Sequence, residues 1–135
     1  MDNCIFCQIV NQLQSGDQSV CHKIYEDDNF VGFLDIRPLN PGNSLLISKK
    51  HYRWVYDVPN FGLYWETARK IGLATKEALQ ARSINFLTIG DKVPHAHIRI
   101  VPRFIDDGSV IALTYKKIDQ GRMEKIASQI RALLL

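Results

Sequence analysis

The chain has 135 residues, 46% hydrophobic and 23% charged, with a net charge of +3 and a pI near 8.8. These are the proportions of one globular domain with a real core, too short for two. The mild basicity suits anionic small molecules, whereas Lys49-Lys50 and Lys116-Lys117 are only pairs and mark no nucleic-acid face. No stretch reaches the ~20 apolar residues of a membrane span, and the start lacks the charged and apolar runs of a signal peptide. The cytosol is therefore the expected compartment.

Ile5, Phe6, Ile9, Val10 and Leu13 have helical spacing, with Asp2 as a candidate cap and Ser15-Gly16-Asp17 as the stop. His22 to Glu26 and Phe30 to Leu34 read as a hairpin around Asp27-Asp28-Asn29. Arg37-Pro38-Leu39-Asn40-Pro41-Gly42 interrupts the chain, and Ser44 to Ser48 is a mostly apolar, central strand. The longest helix begins near Asn60, with a stripe of Phe61, Tyr64, Trp65, Ala68, Ile71, Thr75, Ala78 and Leu79. Ile84 to Ile89 and His95 to Val101 follow as strands joined by a turn at Gly90-Asp91. Met123, Ile126, Ile130, Leu133 and Leu134 form a closing helix capped by Asp119. Hairpins without regular βα alternation predict an antiparallel α+β fold of about five strands.

Two constellations carry chemistry. His95-Ala96-His97-Ile98-Arg99-Ile100-Val101-Pro102-Arg103 alternates polar with aliphatic residues. As a strand it would project His95, His97 and Arg99 from one face and bury Ala96, Ile98 and Ile100 on the other. Such a row suits a nucleophile flanked by groups that neutralise phosphate, though two histidines at this spacing are also common half-buried sheet residues. Cys4 and Cys7 form a C-x-x-C: a redox pair, two buried thiols, or half of a metal site.

The histidine strand, closed by Pro102-Arg103, resembles the histidine triad (HIT) family. The likeness extends through Cys4-Ile5-Phe6-Cys7-Gln8-Ile9-Val10, Tyr25-Glu26-Asp27-Asp28, Phe33-Leu34-Asp35-Ile36-Arg37-Pro38, Pro41-Gly42 and Ser48-Lys49-Lys50-His51, in family order. It covers about 4–103 and leaves a helical tail over about 119–135. The resemblance implies a single HIT-like domain that acts on the α-phosphate of dinucleoside polyphosphates or nucleoside phosphoramidates, as a hydrolase or a transferase. It implies His97 as nucleophile within a catalytic set with His95 and Arg99, and a homodimer formed by the long helix and a sheet edge. Tyr64 and Trp65 serve that contact or the core. It further implies zinc on Cys4, Cys7, His51 and His95, as in bacterial members. Cys21 and His22 are adjacent, which is poor geometry for one tetrahedral metal, and they read as strand residues.

For the nucleotide, the resemblance implies Asp35 on the ribose hydroxyls and Leu34, Ile36 and Phe6 around the base, Phe6 serving equally well as core. It places Gly90, Asp91 and Lys92 near the phosphate. Two departures matter. Arg99 replaces the third histidine and cannot donate a proton at neutral pH, which favours leaving groups that depart as stable anions. Relatives with glutamine there, the galactose-1-phosphate uridylyltransferase branch, imply that a third histidine is not obligatory. Asp91 stands where relatives carry glutamine and would repel phosphate unless paired, for instance with Lys92 or Arg99. Asn85 is the nearest candidate for the family's phosphate-binding asparagine but reads better as a strand or turn residue, and Asn43 stands where many relatives have histidine. The alternatives are a nucleotide binder without turnover, with a regulatory role, or a zinc-stapled interaction domain.

Overall fold

The computed structural model describes residues 3–108 and 114–134. Helix α1 spans Ile5–Gln14 and buries Phe6, Val10 and Leu13, spaced i, i+4, i+7 along one face. Each buried side chain contributes roughly 1.5–3 kcal/mol of apolar burial. Asp2, the expected cap, lies outside the described residues. The cap is Cys4, whose Sγ accepts the Cys7 N–H at 3.4 Å. The helix stops at Ser15, followed by Gly16 with φ +98°.

Five strands follow: β1 Lys23–Glu26, β2 Phe30–Leu34, β3 Ser44–Ser48, β4 Ser83–Leu87 and β5 His97–Arg103. They form one antiparallel sheet in the order β1-β2-β3-β5-β4, with β3 central and wholly buried as expected. Helices α2 (Phe61–Leu79) and α3 (Gln120–Ala132, capped by Asp119) cover one face. There Leu34, Leu46, Ile98 and Ile100 meet Tyr64, Ile71, Met123 and Ile130. Helix α1 covers part of the other face, against Val31, Phe33, Leu45 and Ile47. The α+β expectation holds. Among the described residues no helix is long and apolar enough to cross a membrane.

Several boundaries differ from the expectation, for identifiable reasons. β1 begins at Lys23; His22 just before it still accepts the Leu34 N–H on its carbonyl, and its ring meets Gln120 and Glu124 on α3. Cys21 and His22 therefore precede the strand. β4 ends at Leu87 and not Ile89. β5 begins at His97 because the Ala96 N–H donates to Tyr52 O, outside the β3 ladder. Phe61 heads the predicted α2 stripe but is exposed. Tyr64 belongs to the core: it is fully buried, stacks on Phe30 and donates its hydroxyl to Leu46 O at 2.7 Å.

Candidate active site and metal centre

Direct register pairing of His97 with Ile47 and Arg99 with Leu45 puts both polar side chains on the face that carries α1. Ala96, Ile98 and Ile100 enter the α2–α3 core, as the alternation predicts. The His97 Nδ1 lies 2.8 Å from His95 O. A carbonyl only accepts, so Nδ1 carries the proton and Nε2 carries the lone pair. Burial holds the His97 ring below its ordinary pKa, the charge of Arg99 adding to this, and keeps the imidazole neutral. The edge of Phe6 packs against it with ring centres 5.2 Å apart.

His95 acts differently. Its ring is fully buried and donates from Nε2 to Ser48 O at 2.7 Å. That leaves the Nδ1 lone pair facing Cys4 Sγ at 3.3 Å and Cys7 Sγ at 3.4 Å. His51 Nδ1 lies 3.2 Å from Cys7 Sγ, and the four ligand atoms all fall within 4.8 Å of one another. A zinc tetrahedron with two sulfur and two nitrogen ligands has edges of about 3.3–3.8 Å, so the cluster fits that ion. The carbonyl that fixes the His95 tautomer is the outer-shell partner that metal-bound imidazoles usually have. Desolvation takes His95 down to about 4, its neutral ligand form, while burial and the neighbouring Cys4 thiol push Cys7 up to about 11. Among the reactive groups His95 thus contributes its carbonyl, with its ring given to the cysteines.

The expected nucleotide residues divide. Asp35 and Arg99 are brought together, with Oδ2 3.0 Å from Nη2. Asp35 Oδ1 also accepts the Arg37 N–H at 2.9 Å, and Asn43 Oδ1 approaches Arg99 at 3.5 Å. The Arg99 Nε is buried without a partner among the described residues. Ile36 is 73% exposed beside Asp35, whereas Phe6 is buried against His97. Leu34 is not at the site. It is 1% exposed in the α2–α3 core, because alternation along β2 sends Phe33, not Leu34, to the α1 face.

Gly90 has φ +74°, and a Cβ there would come within 3.2 Å of the Trp54 ring. Asp91 and Lys92 are exposed in the loop, and the acid that pairs with Arg99 is Asp35, not Asp91. Asn85 accepts from Arg103 at 2.8 Å and serves the end of β5. Two residues went unread in the sequence. Arg53 donates to Gly90 O at 3.0 Å, and Tyr115 lies 4.6 Å from the Arg37 guanidinium and 5.9 Å from that of Arg99. A separate cavity of ≈ 380 Å³ lies between α1, the β1–β2 turn and Ser48, Lys49 and Lys50, and His97 does not line it.

The HIT domain family matches residues 16–106. The chain belongs to the HIT family. An uncharacterized HIT-like protein of Methanocaldococcus jannaschii is 32% identical over 95% of this chain and 98% of its own length. Adenylylsulfatase HINT3 of Arabidopsis thaliana is 33% identical over 76% of this chain and 53% of its own. Adenosine 5'-monophosphoramidase HNT1 of Saccharomyces cerevisiae is 26% identical over 97% and 82%. The crystal structure of a zinc-bound histidine triad family protein from Mycobacterium smegmatis superposes with a TM-score of 0.78 at 34% identity, covering 98% of this chain and 94% of that one. HIT proteins thus include enzymes that act on nucleotide substrates, and this chain has their fold.

Proposed function

We propose that this HIT protein cleaves or transfers a nucleoside monophosphate by forming a covalent nucleotidyl-His97 intermediate. One observation carries the reading: the His97 Nδ1–H is anchored on His95 O, so a neutral Nε2 faces away with its lone pair free. An uncharged imidazole of this kind attacks phosphorus without prior deprotonation. Arg99, braced by Asp35, places permanent positive charge two residues along the same face. Asp35 has remaining lone pairs for the ribose hydroxyls, and exposed Ile36 offers an apolar surface to the base. The substrate class follows relatives whose names describe adenylylsulfatase and monophosphoramidase activity. Arg99 cannot protonate a departing amine, so anhydrides turn over faster than phosphoramidates.

Zinc on Cys4, Cys7, His51 and His95 is structural in this reading: it would fasten α1 to the start of β5. Three free cysteines suit a reducing, cytoplasmic setting. Exposed Leu73 on α2 and Phe86 on β4 flank a cavity of ≈ 310 Å³ and suit a homodimer contact.

The test is AMP release from a diadenosine polyphosphate and from adenosine phosphoramidate, with His97→Ala as control. The parent should release AMP, and His97→Ala should lose at least about 1,000-fold of kcat/KM. A protein that binds nucleotide but releases no AMP would be a binding member of the family, and the covalent reading would fall.

A further inference from the structure

Arg53 belongs to none of the recognised motifs, yet the backbone sets it beside the nucleophile. The Ala96 N–H donates to Tyr52 O at 2.7 Å, so residues 51–53 run alongside 95–97. Side chains alternate where the backbone is extended, and the first bend after His51 falls at Arg53. Tyr52 packs against the α2–α3 core, as Ala96 does, which sends His51 to the opposite face. His51 meets Cys7 on that face, and Arg53 follows on the other side of Tyr52, next to the backbone of 95–97.

The guanidinium is also held in place. Its Nη1 donates to Gly90 O at 3.0 Å, and its centre lies 3.7 Å from the centre of the Trp54 ring. Trp54 is braced by Tyr56, 5.9 Å away between ring centres, and by the bare α-carbon of Gly90. Among the described residues Arg53 makes no ion pair, whereas Arg99 is matched by Asp35. The charge of Arg53 also reaches the His97 ring. A fixed, unmatched cation next to a nucleophile is a place prepared for negative charge.

We propose that Arg53 forms a leaving-group subsite for the phosphate or sulfate expelled as His97 takes up the nucleotidyl group. The proposal rests on the reading of His97 as nucleophile and deepens it. The Nε2–phosphorus bond forms as the bridging phosphorus–oxygen bond breaks, and the bonding pair stays on the departing oxygen. Arg53 neutralises that oxyanion with no proton transfer. Water then adds to phosphorus, the nitrogen–phosphorus bond breaks with its pair returning to Nε2, and one proton passes to solvent. A phosphoramidate offers Arg53 no such anion, because its nitrogen must leave protonated.

The decisive variant is Arg53→Met, which keeps an unbranched stem against Trp54 and removes the charge. With kcat/KM measured on adenylyl sulfate, diadenosine tetraphosphate and adenosine phosphoramidate, anhydride turnover should fall about 100-fold. The ratio of anhydride to phosphoramidate turnover should fall at least about 30-fold, and Arg53→Lys should recover about tenfold of it. A fall on the sulfate alone or on the polyphosphate alone identifies which anion the subsite takes. An unchanged ratio overturns the proposal. Pyrophosphate binding, measured by calorimetry on zinc-loaded His97→Ala protein, separates the two readings. Adding Arg53→Met should weaken it at least about tenfold even if the parent releases no AMP, and unchanged affinity overturns the subsite. Should Arg53→Met fail to fold, Arg53→Gln, which also removes the charge, decides: unaltered ratio and affinity in that variant also overturn it.

Discussion

At the scale of single residues, the clearest dependence on pH lies where the chain leaves β5. Arg103, closing β5, is buried and holds Asp107 through two contacts of 2.8 and 3.2 Å; it also binds Asn85 and Gly108 O. The Arg103 hydrogen bonds, with help from the Phe104 N–H and Asn40, hold the Asp107 carboxyl far below the usual carboxylate range. A carboxylate so depressed contributes stability that is fully present above about pH 3.9 and is lost as pH falls toward its folded value. Asp107→Asn should therefore destabilise the protein at pH 7 by about 2–3 kcal/mol. Its stability should also change less than the parent's between about pH 4 and pH 2, read by urea unfolding at a series of pH values. Placement was legible where a motif carried it: Cys4, Cys7, His51 and His95 gather in one cluster, and His97 and Arg99 share one face of β5. It was less so where two motif residues meet. The pairing of Asp35 with Arg99 joins positions 64 apart, and no local spacing announces it. Leu34 was legible in principle, since β2 alternation alone turns it from the α1 face once Phe33 is placed there.

At the scale of elements, one end of helix α1 belongs to the candidate zinc cluster. Its cap is Cys4, and the first-turn Cys7 faces both His51 and His95. Three buried side chains anchor the rest to the sheet. Removing zinc with a chelator should lower Tm by roughly 10 °C or more and should expose the amides of 5–14 to hydrogen exchange before those of β3. Equal protection of α1 with and without metal would disprove that division. Strands β2 and β3, the start of α2 near Asn60 and the Asp119 cap of α3 fall where apolar runs and turn residues predict. The start of β5 does not, because the Ala96 N–H donates to Tyr52 O and so leaves the ladder. Such bonds depend on backbone geometry that residue types do not encode locally. Arg53 escaped notice for the same reason: its place follows from Tyr52 pairing with Ala96.

At the scale of the molecule, β4 is one edge of the sheet, and Phe86 on it and Leu73 on α2 remain exposed. Gly72 lies between them, where a Cβ would come within 3.0 Å of the Phe86 ring, so helix and strand approach closely there. An apolar strip of this kind gains by pairing with its own copy across a twofold axis. Analytical ultracentrifugation should find a dimer at micromolar concentration, and Leu73→Glu combined with Phe86→Glu should give monomer. Monomeric parent protein would refute the contact.

The anchoring of the His97 ring has an evolutionary side. The acceptor for His97 is a main-chain oxygen, and every amino acid possesses one. Substitution at position 95 can shift that atom but never delete it, so an alanine scan would blame any defect on the lost imidazole. Proton placement on the ring is thereby shielded from ordinary genetic drift, and nitrogen-15 spectra of His97 would register its disturbance where a survey of tolerated side chains stays silent.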